Sequence, residues 1–306
     1  MTIAPYLKTI GRGKDGARPL ERAQALDLMT RILDGRVSDL ELGGFALAMR
    51  IKGETADELS AFVEATMVHT LPLVAPGPTP AVLLPSYNGA RKLPNFTPLL
   101  ALLLAREGVP VLVHGPIDDP GRVTSAAIFT ALGLPPTADA AHASAQWSRG
   151  EPVFLSIETL NRPLAQLLAL RRVLGLRNSG HTIAKLLPAV PGALRVVNHT
   201  HPEYAVSLSQ YLREAAADAV LMRGTEGEPV ADARRQPRLD VYRGGVLDTA
   251  RSVAPQEGVL VELPVLPPAI DAETTAAHIR AVLDGRIALP ASIARQVQCL
   301  REALPR

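Results

Sequence analysis

The feature that most constrains this sequence is an alternation, from residue 81 onward, of short apolar runs with longer amphipathic segments. Strands are predicted at 81–84, 109–113, 153–157, 194–198 and 219–223, and helices at 97–107, 125–132, 163–174 and 204–217. Strands that alternate with helices are typical of a mostly parallel, helix-covered sheet. Pro110 suggests that the second run lies early in its strand or at a sheet edge. We therefore predict an α/β domain for this part of the chain.

The first 70 residues show a different pattern, with apolar residues at helical spacing. One helix is predicted over 19–34, and two more begin after Ser38 and Thr55. Each of these two residues is followed three positions later by Glu, which is the spacing of a capping box. The N-terminal part therefore predicts a small helical unit, joined to the α/β part by the proline-rich segment 72–86.

Composition excludes several classes of protein. Cys299 is the single cysteine, which excludes an intrachain disulfide and any multi-cysteine zinc or iron–sulfur site. The longest apolar runs, such as 99–105, are far shorter than the ~20 residues of a membrane helix. The first 16 residues lack the apolar stretch of a signal peptide. We therefore expect a soluble cytoplasmic protein with no membrane partner.

Charge is unevenly distributed, although the formal net charge is only +2. Segment 21–64 holds nine acidic and five basic residues, whereas segment 159–202 holds six basic residues and no acidic one. A segregated basic stretch can present a positive surface to a polyanion. The alternative is that these residues scatter over several faces after folding. The six are Arg162, Arg171, Arg172, Arg177, Lys185 and Arg195.

Two motifs are weak candidates for cofactor or metal sites. The segment GRGKDG at 11–16 matches GxGxxG, but the dinucleotide fingerprint needs a preceding strand, and APYLKTI at 4–10 is a weak strand candidate. This favours a basic, flexible loop. His199 and His201 lie two apart near a strand end, where they could ligate a metal or simply lie on the surface.

Two polar segments follow predicted strands, where α/β proteins place ligand sites. Glu226 and Glu228, in GTEGEP, could hold Mg²⁺ through a substrate phosphate, or they could lie in a solvated turn. The segment SYNGARK at 86–92 precedes a helix, so Arg91 and Lys92 could contact phosphate together with backbone amides. A plain loop is the alternative for this segment.

Four segments carry a resemblance to a known family. They are LDLMTRILDGRVSDLELGGFALAMRIKGETADELSAF at 26–62, the segments 107–133 and 168–187, and AVLMRGTEGEP at 219–229. They resemble, in that order, the helical domain, the KHGN region, the hinge helix and the metal-motif loop of the anthranilate phosphoribosyltransferase family. Within that family, PSYNGARKLPN and GTEGEP resemble the YbiB-type branch.

The resemblance covers nearly the whole chain and implies its architecture. A small helical domain, 1–75 plus about 160–190, is expected to pack on a larger α/β domain, about 76–159 plus 191–306, with a mostly parallel sheet. The resemblance also implies a homodimer.

The sequence departs from the catalytic pattern of the family at several matched positions. The glycine-rich phosphate loop falls on 85–89, where Tyr87 adds a ring to a loop that closely approaches pyrophosphate. The lysine of KHGN falls on Val113, and the metal-binding Asp–Glu pair falls on Glu228 and Pro229. The positions carried over from the ancestral cleft are Ser86, Tyr87, Asn88, Gly89, Asn95, Thr97, His114, Gly115 and Glu228.

Phosphoribosyl transfer requires that pyrophosphate charge be neutralised by metal and donors. The lost lysine and metal ligand therefore argue against that reaction, so we expect no catalytic residue, no resident metal and no cofactor. Resemblance to the YbiB-type branch implies a protein that binds DNA, and by extension RNA, without sequence preference. The alternative is a pentosyl transferase that acts on an unknown acceptor in the same cleft and requires Mg²⁺.

The candidate phosphate contacts come from the basic stretch and from two loops. They are Arg91, Lys92, Arg171, Arg172, Arg177, Lys185, Arg234, Arg235 and Arg238. Arg171 also matches the arginine that contacts anthranilate in the family. The last three arginines lie in ADARRQPRLD, which could equally be a solvated loop.

Overall fold

The computed structural model describes residues 2–258 and 262–304. The chain divides into two compact units, one formed by Met1–Leu71 and Leu160–Leu187 and the other by Pro72–Thr159 and Pro188–Arg306. The first consists of helices and the second contains the sheet. We call them the helical unit and the α/β unit. The fold class expected from the sequence is confirmed.

The secondary structure follows this division. The helices are α1 (Ala4–Ile10), α2 (Gly13–Gly16), α3 (Arg22–Leu33), α4 (Asp39–Lys52), α5 (Ala56–Met67), α6 (Thr97–Arg106), α7 (Ser125–Ala131), α8 (Ala140–Ser148), α9 (Ile157–Leu160), α10 (Arg162–Leu174), α11 (Ser179–Leu186), α12 (Pro202–Glu214), α13 (Ala272–Leu283) and α14 (Ala291–Ala303). The strands are β1 (Val82–Pro85), β2 (Val111–Gly115), β3 (Val153–Ser156), β4 (Leu194–His199), β5 (Ala219–Arg223), β6 (Leu239–Arg243) and β7 (Val246–Leu247). Within the described ranges, no helix is long and apolar enough to cross a membrane.

The helix starts in the helical unit follow from local side-chain chemistry. Ser38 and Thr55 each accept a hydrogen bond from the backbone N–H three residues later, at 3.3 Å, which confirms both capping boxes. Helix α3 begins at Arg22 rather than at 19, because Glu21 is its N-cap and donates its backbone N–H to the Gln24 side chain. A side-chain cap therefore outweighs the preference of proline for a first turn.

The GxGxxG segment has no structural context for a dinucleotide. The upstream residues 4–10, a weak strand candidate, form helix α1, and Gly13–Gly16 forms the single turn α2. Because a helix precedes the glycines where the fingerprint needs a strand, the phosphates of a dinucleotide would have no strand-to-helix turn to bind.

The sheet of the α/β unit has the order β3-β2-β1-β4-β5-β6-β7. Strands β1 to β5 pair in parallel, whereas β6 and β7 add an antiparallel edge. Strand β2 lies between β3 and β1, so the suggestion of an edge strand is wrong. Its paired residues begin at Val111, and Pro110 lies just outside them, where it accepts a hydrogen bond from the Val82 N–H through its carbonyl.

The chain order in this sheet reverses between β1 and β4, since β2 and β3 lie on one side of β1 and β5 lies beyond β4. In open α/β sheets, ligands bind at the carboxyl ends of the strands at such a switch point. Here the loop after β1 and the turn after β5 both lie at the carboxyl ends of their strands. Buried polar residues concentrate at this end of the sheet, among them Ser86, His114 and Glu228.

Candidate functional site

A tight turn after β5 carries the two glutamates of GTEGEP. The Glu228 N–H donates to the Thr225 carbonyl at 2.9 Å, and φ is +52° at Glu226 and +89° at Gly227. Positive φ at both central residues is the signature of a type I′ turn. One interpretation of the sequence was that Glu226 and Glu228 lie in a solvated turn. Glu228 does not fit that interpretation, because it is only 1% exposed. We call residues 225–228 the carboxylate turn.

The carboxylate of Glu228 lies inside the loop that follows β1. Its Oε1 accepts hydrogen bonds from the backbone N–H groups of Asn88 and Gly89, each at 2.7 Å. Its Oε2 accepts from the Thr97 hydroxyl at 3.2 Å and from the Asn95 side-chain amide at 3.4 Å. A buried charge is tolerated only when it is hydrogen-bonded in this way. The loop donors therefore already hold an anion, which belongs to the chain itself.

Ser86 completes the donor set around Glu228. Its hydroxyl donates to Oε2 of Glu228, and it lies 2.7 Å from the Ser125 hydroxyl. Since a serine has a single hydroxyl proton, Ser125 donates to Ser86. The Asn95 amide in turn donates to Ser125 at 2.9 Å. Ser125 was not among the site residues predicted from the sequence. Its place at the start of a helix that follows a strand could have indicated it.

Glu226 binds the next part of the same loop. Its carboxylate accepts from the backbone N–H groups of Arg91 at 2.8 Å, Lys92 at 3.0 and 3.2 Å, and Leu93 at 3.2 Å. Partial burial alone would raise the pKa of Glu226, but the three N–H groups and the Arg122 guanidinium together hold that pKa below its ordinary value. Glu226 is therefore an anion at neutral pH.

Tyr87 and His114 form a buried pair behind the loop. The Tyr87 hydroxyl lies 2.7 Å from Nδ1 of His114, and the two rings pack edge to face. Burial lowers the pKa of His114 to about 3, while burial and then the charge of Glu158 raise the pKa of Tyr87. The imidazole is thus neutral, and its tautomer sets which of the two groups donates the hydrogen bond between Tyr87 and Nδ1. The pair has no proton that it readily exchanges at neutral pH.

The structure gives a packing role to three positions that were matched to the family. Val113 packs in the hydrophobic core, where the family has its lysine. Gly115 is required by packing, since a Cβ there would lie 1.9 Å from the Ser86 carbonyl oxygen. Pro229 is buried and its carbonyl accepts from the Gln296 side chain at 3.0 Å.

The residues present do not fit a magnesium ion. Of the matched pair, Pro229 has no side-chain ligand, and the Glu228 carboxylate is already bound by donors from Ser86, Asn88, Gly89, Asn95 and Thr97. Among residues 2–258 and 262–304 no three His, Cys, Asp or Glu side chains come together as a metal site would require. His199 and His201 are no exception, and Nδ1 of His199 lies 3.1 Å from the His201 carbonyl oxygen.

The basic stretch brings three of its cations together in the helical unit. Arg171 lies in the last turn of α10, Arg177 lies in the connection to α11, and Lys185 lies in the last turn of α11. Burial, and after it the charges of Arg177, Arg171 and Lys185, lower the pKa of His181 to about 3. All three cations must therefore lie near one imidazole. We call this group the His181 cluster; Arg172 is exposed one position after Arg171.

The candidate cations of the α/β unit differ in their surroundings. Arg91 and Lys92 have exposed side chains on the loop after β1. Arg234 and Arg238 each form an ion pair two residues away, with Asp232 at 2.8 Å and Asp240 at 2.7 Å. Their charges are compensated locally. Arg235 donates to the Gln256 carbonyl at 3.4 Å.

A family model and two related sequences agree in relating the chain to the anthranilate phosphoribosyltransferases. The helical bundle domain of the glycosyl transferase family matches residues 4–70. Over 305 residues the chain is 42% identical to the uncharacterized protein YbiB of Escherichia coli K12, covering 98% of this chain and 93% of that one. It is 28% identical over 290 residues to anthranilate phosphoribosyltransferase of Methanopyrus kandleri, covering 92% and 83%.

Solved structures show the same fold. Anthranilate phosphoribosyltransferase (TrpD) from Thermus thermophilus superposes with a TM-score of 0.76 at 23% identity, over 97% of this chain and 87% of that one. The Saccharomyces cerevisiae enzyme in complex with PRPP and Mg gives 0.72 at 14% identity, over 98% and 88%. The chain shares the fold and the helical domain of these proteins, and it is 42% identical to YbiB over nearly its full length. It therefore belongs to the anthranilate phosphoribosyltransferase-like family, in the branch that contains YbiB.

Proposed function

We propose that this protein binds nucleic acid through backbone phosphates, without sequence preference, on a transferase-like scaffold that no longer transfers phosphoribosyl groups. The observation that carries the proposal is the His181 cluster, in which Arg171, Arg177 and Lys185 converge within a segment that contains no acidic residue. Concentrated cations repel one another and favour a polyanionic partner.

Helix electrostatics accounts for only part of the His181 cluster. Cations in the last turn of a helix stabilise it, which explains Arg171, Arg172 and Lys185 without any ligand. Helix electrostatics does not explain Arg177, because it directly precedes Asn178, the N-cap of α11, and a helix N-terminus favours anions.

The loss of transferase activity rests on Glu228. Its carboxylate already holds the Asn88 and Gly89 amides that an external anion would need. Pyrophosphate would have to displace a buried, fully hydrogen-bonded carboxylate and would bring a like charge beside it. The runner-up function, pentosyl transfer to an unknown acceptor, is supported by the transferase scaffold alone.

Homodimer formation is part of the proposal. Leu40, Leu47 and Ile51 recur at helical spacing along one face of α4, and they are 87%, 43% and 62% exposed. Aligned exposed apolar side chains on a charged helix favour a protein partner, and a second copy of the chain is the simplest one. A dimer would present two copies of the His181 cluster and so raise avidity for a long polyanion.

The experiment that tests the proposed function is a binding titration with random-sequence duplex and single-stranded DNA at several salt concentrations. We expect log K to fall linearly with log salt, with a slope set by the number of phosphate contacts. Duplexes of different sequence should bind within a few fold of one another, since phosphate contacts carry no base information. Binding that is insensitive to salt would contradict the proposal.

A further inference from the structure

Three backbone N–H groups bind the Glu226 carboxylate. Nucleic-acid binding by the His181 cluster does not require this arrangement. The backbone N–H groups of Arg91, Lys92 and Leu93 are consecutive, and all three donate to its carboxylate at 2.8 to 3.2 Å. Successive amides aimed at one point form an anion-binding nest. A phosphate oxygen is as good an acceptor for such donors as a carboxylate oxygen. We call residues 91–93 the amide nest.

Glu226 is held less firmly than Glu228. Its hydrogen bonds come from backbone N–H groups at a partly exposed position, whereas Glu228 is buried and is also bound by side chains. The backbone of Glu226 lies at φ +52°, a left-handed conformation that a residue with a Cβ adopts only at a cost. The donors to the Glu226 carboxylate also differ from the donors to Glu228.

Cations surround the amide nest. The Arg122 guanidinium is close enough to lower the pKa of Glu226, and Glu226 in turn helps to raise the pKa of Arg234. The side chains of Arg91 and Lys92 are exposed on the nest itself. Of these cations, Arg234 is also paired with Asp232. An anion that replaced Glu226 would therefore still meet an excess of positive charge.

We propose that the amide nest is a binding site for a phosphate group and that Glu226 is a resident anion which the incoming phosphate displaces. The phosphate would come either from a nucleic-acid backbone or from a small phosphate ester. Only the first source rests on the proposed function; the nest itself does not.

The test compares wild-type protein with Glu226→Ala, which empties the nest. Glu214→Ala is the matched control, because Glu214 is an exposed glutamate at the C-terminal end of α12 and its removal changes the net charge equally. Inorganic phosphate is titrated at constant ionic strength, and the backbone amide resonances of Arg91, Lys92 and Leu93 are followed. We expect Glu226→Ala to bind phosphate about tenfold or more tightly than wild type, because a competing like charge is gone. Glu214→Ala should match wild type.

A folded Glu226→Ala protein whose three nest amides respond to phosphate no more than in wild type would overturn the proposal. Should that variant fail to fold, Glu226→Gln removes the charge and keeps the shape, and the same comparison decides with the same criterion. Folding is checked by circular dichroism and thermal unfolding.

Two further ligands identify the source of the phosphate. A gain of affinity in Glu226→Ala for oligothymidylate alone supports the nest as a backbone site, and a gain for ribose 5-phosphate alone supports it as a site for small esters. Wild-type protein that fails to bind DNA while Glu226→Ala gains phosphate affinity would refute the proposed function and still support the nest. No gain for any of the three ligands would refute the nest itself.

Discussion

At the scale of single residues, Glu228 acts as a substitute for an external anion. A carboxylate that is 1% exposed and bound by two backbone amides, two hydroxyls and an Asn amide is part of the structure rather than a free ligand. The sequence matched Glu228 to the ancestral cleft but could not show this role. Its partners Asn88 and Gly89 lie 140 and 139 positions away, and no local pattern reports contacts of that range.

Removal of the Glu228 carboxylate should destabilise the α/β unit. Glu228→Ala leaves several buried donors without an acceptor, so we expect a loss of about 3 to 5 kcal/mol in the free energy of unfolding. The exposed control Glu214→Ala should change it by about 0.5 kcal/mol or less. Urea unfolding followed by circular dichroism measures both variants. Equal stability of the two would show that the internal anion has no structural role.

The titration of Glu226 gives a prediction about pH. Its pKa in the folded protein lies below the ordinary value of 4.5. The hydrogen bonds between Glu226 and the amide nest therefore stabilise the fold fully above pH 4.5, and this stabilisation is lost as the pH falls through the folded pKa. We expect the amide resonances of Arg91, Lys92 and Leu93 to stay constant from neutral pH down to about 4.5 and to shift only below it. A midpoint at or above pH 4.5 would be inconsistent with a carboxylate stabilised in the nest.

At the scale of elements, the sequence predicted features that depend on neighbouring residues, but it did not predict the pairing of all the strands. The capping boxes at Ser38 and Thr55 depend on residues three apart, so the sequence predicted both. The segment that resembles the family's hinge helix, 168–187, contains the end of α10 and all of α11, since Gly175 at φ +68° ends the first and Asn178 caps the second. The sequence did not predict the antiparallel strands β6 and β7, because they follow one another directly and so depart from the alternation of strand and helix.

The apolar face of α4 gives a prediction at this scale. If it forms the dimer interface, Leu47→Glu together with Ile51→Glu should convert the protein to a monomer, because charge buried in an apolar interface is strongly unfavourable. Glutamate at exposed helix positions is well tolerated in the monomer, so secondary structure should not change. Light scattering after size-exclusion chromatography measures the mass. A double variant with unchanged dimer mass would exclude this face.

At the scale of the whole molecule, the chain shares the fold of its transferase relatives, and the proposed function gives that fold a different use. The transferase relatives share the fold, while Val113, Pro229 and the inward-facing Glu228 remove the groups that such a reaction needs. With anthranilate, phosphoribosyl pyrophosphate and Mg²⁺, we expect no product above background. Robust turnover in a coupled fluorescence assay would refute this assignment, and turnover with a different acceptor would favour the pentosyl transferase.

The measurement that tests the central claim most directly is the salt dependence of DNA binding in two triple variants. One replaces Arg172, Arg177 and Lys185 by Ala. The other replaces Arg22, Arg36 and Arg50, exposed arginines of the same unit in its acid-rich segment, and so changes the net charge equally. With dimer mass verified in both, the first should bind about tenfold more weakly or worse at moderate salt, with a slope shallower by up to about three, while the second stays near wild type. Equal losses in both variants, or none in the first, would contradict the account.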